Sequence, residues 1–195
     1  MSASLVGSEM CIRDRVCTKY DMPLFIDGAR LGYALTATGN DVTLEDIARI
    51  ADVFYIGGTK VGAMFGEAVV FTHGNMPKNF VTLVKQHGAL LAKGWLLGVQ
   101  FDTLFTDDLY CRIARHANDA ADRIREVLVE RGYTLTFDAP TNQIFITLDN
   151  ATSERLQRNV RLGFMEKADD THTVMRICTS WATTDEQVEQ LIALL

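Results

Sequence analysis

Leu24-Phe25-Ile26-Asp27-Gly28-Ala29-Arg30 and, further on, Val53-Phe54-Tyr55-Ile56-Gly57-Gly58-Thr59-Lys60 are the stretches whose reading decides the fold. Each is a short apolar run that ends in glycine beside a charged residue. The first follows Pro23 and reads as a buried strand bounded by Gly28; the second reads as a strand stopped by Gly57-Gly58. Between them Thr43-Leu44-Glu45-Asp46 reads as a helix start, with a threonine cap and an acid three residues on. Leu44, Ile47, Ala48 and Ala51 would then share one face of that helix. Strand, helix, strand in this order predicts a parallel, right-handed crossover unit. Ligands of such sheets bind outside the carboxyl ends of the strands, where Asp27 and Lys60 both fall. Gly57 and Gly58 would let the backbone approach a flat ligand closely.

An acid and a lysine at the same end of one sheet are what an enzyme needs to hold pyridoxal phosphate. A carboxylate facing the pyridine nitrogen keeps it protonated, and a lysine amine forms the imine with the cofactor aldehyde. Each residue also has an ordinary reading. An Asp between a strand and a Gly most often bonds local amides in a turn, and a Lys in a Gly-rich loop is most often solvated. The spacing allows a cofactor site and does not by itself specify one.

The wording of the motifs goes further. Phe25-Ile26-Asp27-Gly28-Ala29-Arg30-Leu31-Gly32, Tyr55-Ile56-Gly57-Gly58-Thr59-Lys60-Val61-Gly62-Ala63, Gly66-Glu67-Ala68-Val69-Val70 and Met175-Arg176-Ile177-Cys178-Thr179-Ser180-Trp181-Ala182-Thr183-Thr184 resemble the threonine aldolase family. That family belongs to the fold-type-I pyridoxal phosphate enzymes, beside the β-eliminating lyases. The resemblance runs from about residue 16 to residue 195. It implies an α/β chain, the C-terminal part of a fold-type-I large domain with a mostly parallel sheet, followed by a small α+β domain. It implies cleavage of a threonine-like β-hydroxy-α-amino acid to glycine and an aldehyde, with pyridoxal 5'-phosphate as cofactor.

Carried over position by position, the resemblance pairs Asp27 with the pyridinium nitrogen and sets Arg30 beside the cofactor's phenolic oxygen. Lys60 would form the imine and Arg176 would grip the substrate α-carboxylate. Residue patterning supports the last role separately. Val174, Arg176 and Cys178 alternate along one strand face, and a guanidinium there needs an anion, either a carboxylate ligand or a nearby structural acid. Asp27 and Lys60 would equally serve β-elimination or transamination, so the chain could instead be another fold-type-I enzyme. A third reading is a non-catalytic fragment, because family members carry the phosphate-binding groups and a ring-stacking His before the Asp-Gly-Ala-Arg motif. Only 26 residues precede Asp27, and none of His73, His87, His116 and His172 stands where that His is expected.

Residues 1–15, MSASLVGSEMCIRDR, show no helical or strand period and read as a non-native or disordered leader. Residues 16–106 read as the partial cofactor-binding domain and residues 107–195 as a bridging helix with the small C-terminal domain. Within the latter, residues 107–131 predict a long amphipathic helix ended by Gly132, with Asp119, Arg123 and Glu126 on a solvated face. Strands over 133–137, 143–148, 163–167 and 173–178 and helices over 152–160 and 184–195 predict an antiparallel sheet covered by helices. Upstream, a helix is expected from about Lys78 and another over 90–106. Lys85 and Lys93 are candidates to reach a cofactor phosphate across a subunit interface, since fold-type-I enzymes work as dimers or larger.

Composition sets outer bounds. The chain has 195 residues, is 48% hydrophobic and 23% charged, and can bury a core. A net charge of −6 without a basic stripe argues against nucleic acid, and no apolar run is long enough to span a membrane. Cys11, Cys17, Cys111 and Cys178 show no paired spacing and read as free thiols in a reducing cytoplasm, with no metal site. The expected partners are a small amino-acid substrate and further copies of the chain, as a dimer or tetramer.

Overall fold

The computed structural model describes residues 7–195, with side chains from residue 12 onward. The chain opens with α1 (Gly7–Lys19) and a two-residue strand β1 (Phe25–Ile26), then α2 (Leu31–Leu35), α3 (Leu44–Ile50) and β2 (Val53–Gly57). β1 and β2 run parallel, with Phe25 opposite Val53 and Ile26 opposite Phe54. The expected crossover is therefore present. Its helix α3 starts at a reciprocal cap, in which Thr43 and Asp46 each accept from the other's backbone N–H. Ile47 and Ala51 are fully buried on the face predicted for them. β3 (Glu67–Phe71) adds an antiparallel edge, giving the order β1-β2-β3.

Part of the expected leader lies outside the described residues; from Gly7 the chain is helical. No apolar stripe marks that helix, so periodicity cannot reveal it. The helix expected over 90–106 is shorter. α4 (Phe80–Gln86) and α5 (Trp95–Phe105) are separate, and a positive φ of 70° at Gly88 breaks the chain between them.

After a single turn of 3-10 helix comes α6 (Leu109–Glu130). Asp107 and Asp108 hold φ of 51° and 57°, a left-handed pair that separates α5 from α6. Residues β4 (Thr134–Leu135), β5 (Gln143–Asp149), α7 (Asn150–Gln157), β6 (Gly163–Lys167), β7 (His172–Cys178) and α8 (Asp185–Leu194) complete the chain. Their strands form the antiparallel sheet that the sequence predicts, in the order β4-β5-β7-β6. Thr184 and Gln187 close the expected reciprocal cap of α8.

α6 belongs to two cores at once. Its first half gives Tyr110, Ala114 and Ala117 to a cluster with Leu31, Tyr33, Ile47, Phe54 and Val61. Its second half gives Ala121, Ile124 and Leu128 to a cluster with Ile144, Ile146, Met175, Ile177 and Val188. One 22-residue helix thus carries both sheets. Its polar face is not wholly solvated: Arg123 reaches α8, donating to Asp185 at 2.6 Å and to Glu189.

Candidate active site

The carboxyl ends of β1 and β2 meet through glycine. A Cβ on Gly28 would overlap the carbonyl oxygen of Tyr55 at 1.7 Å, and one on Gly57 would lie 2.6 Å from the carbonyls of Gly28 and Ala29. The amide of Gly57 donates to the carbonyl of Gly28 at 2.9 Å. These glycines therefore let the two loops interlock. At Gly57 and Gly58 the spaces where side chains would project are filled by protein, Gly58 facing Phe101 and Ala63. Their glycine character serves loop-to-loop packing.

Four contacts then fix the lysine loop. The amide of Gly58 donates to Glu67 Oε2 at 2.8 Å and the Thr59 hydroxyl donates to Glu67 Oε1 at 3.1 Å. The Tyr33 hydroxyl donates to the carbonyl of Lys60. Tyr110, buried on α6, accepts from the amide of Gly32 at 3.0 Å and donates to the carbonyl of Gly57 at 2.9 Å. Lys60 is half-buried, and its amine has no hydrogen bond or ion pair among the described residues. The sequence places Gly66-Glu67-Ala68, just before the strand at 68–71, close to the lysine loop, and Glu67 does bond it. Tyr33 and Tyr110 were not legible as site supports.

Asp27 is exposed just past β1. Its Oδ1 accepts from the Tyr55 hydroxyl and from the Ala29 amide at 3.0 Å, and its Oδ2 carries no hydrogen bond among the described residues. The Tyr55 bond, the Ala29 amide and the nearby charges of Lys60 and Arg30 hold this carboxyl below the usual carboxylate range. Burial, and then the bond to Asp27, pushes the Tyr55 phenol up to about 12. Asp27 is therefore an anion, and Tyr55 a neutral donor, at any physiological pH. Asp27, Arg30 and Lys60 are brought close enough for their charges to act on one another.

Arg30 and Arg176 share an uncommon feature: each keeps a buried guanidinium Nε without a hydrogen-bond partner among the described residues. Arg176 stands on β7 opposite Gly163 of β6, and its Nε lies 3.5 Å from where a Cβ of Gly163 would be. No structural acid pairs with it among the described residues, which removes one of the two anions considered from sequence. Met175 and Ile177 face the helix-covered core, so Arg176 projects from the other side of the sheet. The two halves of the molecule meet near Tyr33. Burial pushes its phenol up to about 12, while the Arg30 charge and the Trp181 backbone act in the opposite sense. Residues just after Arg176 thus lie beside the residue that holds the Lys60 carbonyl.

Three of the histidines make contacts of their own. His73 stands 3.5 Å from Asp52, His116 contacts the Thr183 carbonyl at 2.8 Å, and His172 pairs with Asp169 at 3.1 Å. Among the described residues no group of His, Cys, Asp and Glu could hold a metal ion. Cys17, Cys111 and Cys178 are free thiols, while the side chain of Cys11 lies outside the described residues. No helix of the described residues is long and apolar enough to cross a membrane.

An anion with one free oxygen, a lysine amine without a partner and a guanidinium with an unused buried nitrogen, among the described residues, lie in the loops that follow the carboxyl ends of two parallel strands, the place where ligands of open α/β sheets bind. The family model described as beta-eliminating lyase matches residues 9–151, and the chain belongs to that family. Two curated relatives, the low specificity L-threonine aldolases of Pseudomonas aeruginosa and of a second Pseudomonas strain, are each 29% identical to it. Those matches cover 90% and 91% of this chain and 50% and 51% of the relatives, so the chain spans about half their length. Among solved structures, Leishmania major threonine aldolase is 39% identical with a TM-score of 0.92, over 96% of this chain and 55% of that one. Sphingomonas wittichii serine palmitoyltransferase has a TM-score of 0.64 at 18% identity, over 93% of this chain and 48% of that one. The second likeness shows the fold alone. The architecture is part of a fold-type-I α/β enzyme, as the sequence predicts.

Proposed function

We propose that this chain carries the lysine-bearing half of a pyridoxal phosphate-dependent aldolase that cleaves threonine-like β-hydroxy-α-amino acids to glycine and an aldehyde. The observation that carries the proposal is the convergence of Asp27, Arg30 and Lys60 at the ends of adjacent parallel strands, in a chain 39% identical to a threonine aldolase. The residues fit the cofactor. Asp27 offers a free carboxylate oxygen to a protonated ring nitrogen, Arg30 offers an unpartnered Nε to a phenolic oxygen, and Lys60 offers an unpaired amine to an aldehyde. When bound, the cofactor supplies an electron sink for the pair released as the Cα–Cβ bond breaks. Asp27 keeps that sink protonated. Arg176 would take the substrate carboxylate and so orient the substrate, a positioning contribution. Glu67, Tyr33 and Tyr110 hold the lysine loop rigid around this chemistry.

The same reading includes a homo-oligomer, a cytoplasmic setting and the division at residues 15 and 106. Exposed Trp95, Leu96 and Val99 on α5 support a partner surface, and the free thiols support a reducing compartment. Lys85 and Lys93 are exposed and would then face a neighbouring copy.

The test is the visible absorption of the purified chain with pyridoxal phosphate, beside Lys60→Ala. A band that survives desalting in the parent and is absent from the variant is the expected result. Threonine should then yield glycine and acetaldehyde. A keto acid in their place would move the assignment to another reaction of the family, and matching spectra would remove the cofactor from this chain.

A further inference from the structure

Tyr55 lies in the middle of β2, on the face away from the helix-covered core, opposite Val69 of β3. Its neighbours Phe54 and Ile56 point into the first cluster and account for the strand's burial. Tyr55 itself is not needed there. Its ring packs against Phe25 of β1, with centroids 6.2 Å apart and planes inclined by 36°. Among the described residues its hydroxyl bonds one partner, Oδ1 of Asp27. The Ala29 amide donates to that same oxygen. Two donors on one oxygen leave Oδ2 as the free acceptor, because a carboxylate is planar and fixing one oxygen fixes the direction of the other.

We infer that Tyr55 is a positioning residue: with the Ala29 amide it pins Oδ1 of Asp27, so that Oδ2 is presented to the protonated ring nitrogen of the cofactor. The inference rests on the proposed cofactor and adds to it a residue outside the Asp-Gly-Ala-Arg and Gly-Gly-Thr-Lys motifs. An exposed aspartate on its own turns freely about two side-chain bonds, and holding it in one orientation before the ligand arrives lowers the cost of binding. A neutral phenol suits this better than a lysine or arginine would. It donates to the carboxylate without neutralising it, so the full negative charge remains available to the ring nitrogen.

Tyr55→Phe keeps the ring and its contact with Phe25 and removes only the hydroxyl. Two measurements on the full chain separate this inference from the cofactor assignment. First, the Asp27 carboxyl is titrated by carbon-13 NMR without cofactor. In the parent it should titrate below its ordinary 3.8, and in the variant it should move back toward that value. Second, the dissociation constant for pyridoxal phosphate is read from the visible band. It should rise about tenfold in the variant, the scale of losing one hydrogen bond to a charged group. Borohydride should still fix the cofactor to Lys60 in both proteins. An Asp27 titration identical in parent and variant would overturn the inference, as would a shifted titration with unchanged affinity. A parent that takes up no pyridoxal phosphate would overturn the cofactor assignment and the positioning role with it, and the titration would still report whether the Tyr55–Asp27 bond exists.

Discussion

Tyr110 shows how much one side chain can contribute to the site from outside it. Its hydroxyl is buried on α6 and joins two backbone segments that lie far apart in sequence, accepting from Gly32 and donating to Gly57. Burial drives its phenol well above the ordinary value, so it stays a donor throughout the working range. In Tyr110→Phe the ring would remain stacked on Phe105, at 5.3 Å between centroids, and the loss would be that of the hydroxyl alone. The buried Gly32 amide would then have no partner, which costs about 1–3 kcal/mol. Urea unfolding should register that loss, with the slope of the transition unchanged. A second prediction at this scale concerns acid. Asp169 accepts from the amides of Thr171 and His172, each at 2.7 Å, and from the Thr171 hydroxyl at 2.8 Å. The Thr171 bonds come first in holding its pKa down to about 2. A depressed carboxylate contributes stability that is fully present above its unfolded pKa and is lost as pH falls through the folded value. The β6–β7 turn should therefore keep its amide protection until pH drops below the ordinary carboxylate range and lose it toward about 2. In Asp169→Asn this acid-dependent step should be missing from hydrogen exchange.

Among the elements, α6 decides how the two sheets are joined, and magnitudes say which of its contacts matter. Arg123 makes ion pairs with Asp185 and Glu189 of α8, but its side chain is 42% exposed and its partners more so. Exposed pairs of this kind contribute about 0–1 kcal/mol. Ile124, one residue on, is 2% exposed inside the second cluster, with Val188 and Leu191 of α8 in the same core. Truncating such a side chain costs about 2–5 kcal/mol. Ile124→Ala should thus lower the melting temperature well beyond Arg123→Ala, and the opposite order would mean that α8 is held by charge. α6 was also the element most legible in sequence, because a 22-residue amphipathic period leaves little choice. The strands β5, β6 and β7 and the caps of α3 and α8 were legible for similar reasons, through alternation and reciprocal capping. α2 and α1 were not. α2 is five residues long, too short for a period to show, and it is helical because Leu31 and Tyr33 are buried against α6. At the site, the wording of the motifs pointed to Asp27, Arg30, Lys60 and Arg176. Glu67 was legible as a neighbour of the lysine loop, whereas Tyr55, Tyr33 and Tyr110 came only with the fold, because side chains from different elements converge without any fixed spacing in sequence.

For the whole molecule the telling quantity is surface. The chain exposes 12025 Å², whereas a compact folded monomer of its 21.7 kDa exposes about 9,200 Å². The excess, roughly 2,800 Å² on one chain, is somewhat more than the roughly 1,000–2,500 Å² that each partner buries in large permanent interfaces. Its chemistry suits such an interface. Met64, Val81, Trp95 and Val99 are each more than half exposed, and Phe25 and Val69 leave the outer face of the first sheet bare. The second sheet, with helices α6, α7 and α8 against one face, buries its apolar residues far better. Uncovered apolar surface is thus concentrated in the half that carries Asp27 and Lys60. Exposed apolar side chains on a chain of net charge −6 should drive self-association, because so modest a charge offers little repulsion against apolar burial. Sedimentation velocity should show species larger than a monomer at micromolar concentration, growing with concentration and persisting in high salt, since screening does not weaken hydrophobic contact. Replacing Trp95 and Val99 together by Glu puts two charges on α5, where neither native side chain is buried, so the fold should survive while the larger species recede. A parent that sediments as a monomer at every concentration would show that this surface tolerates water, and the partner surface proposed on α5 would have to be given up.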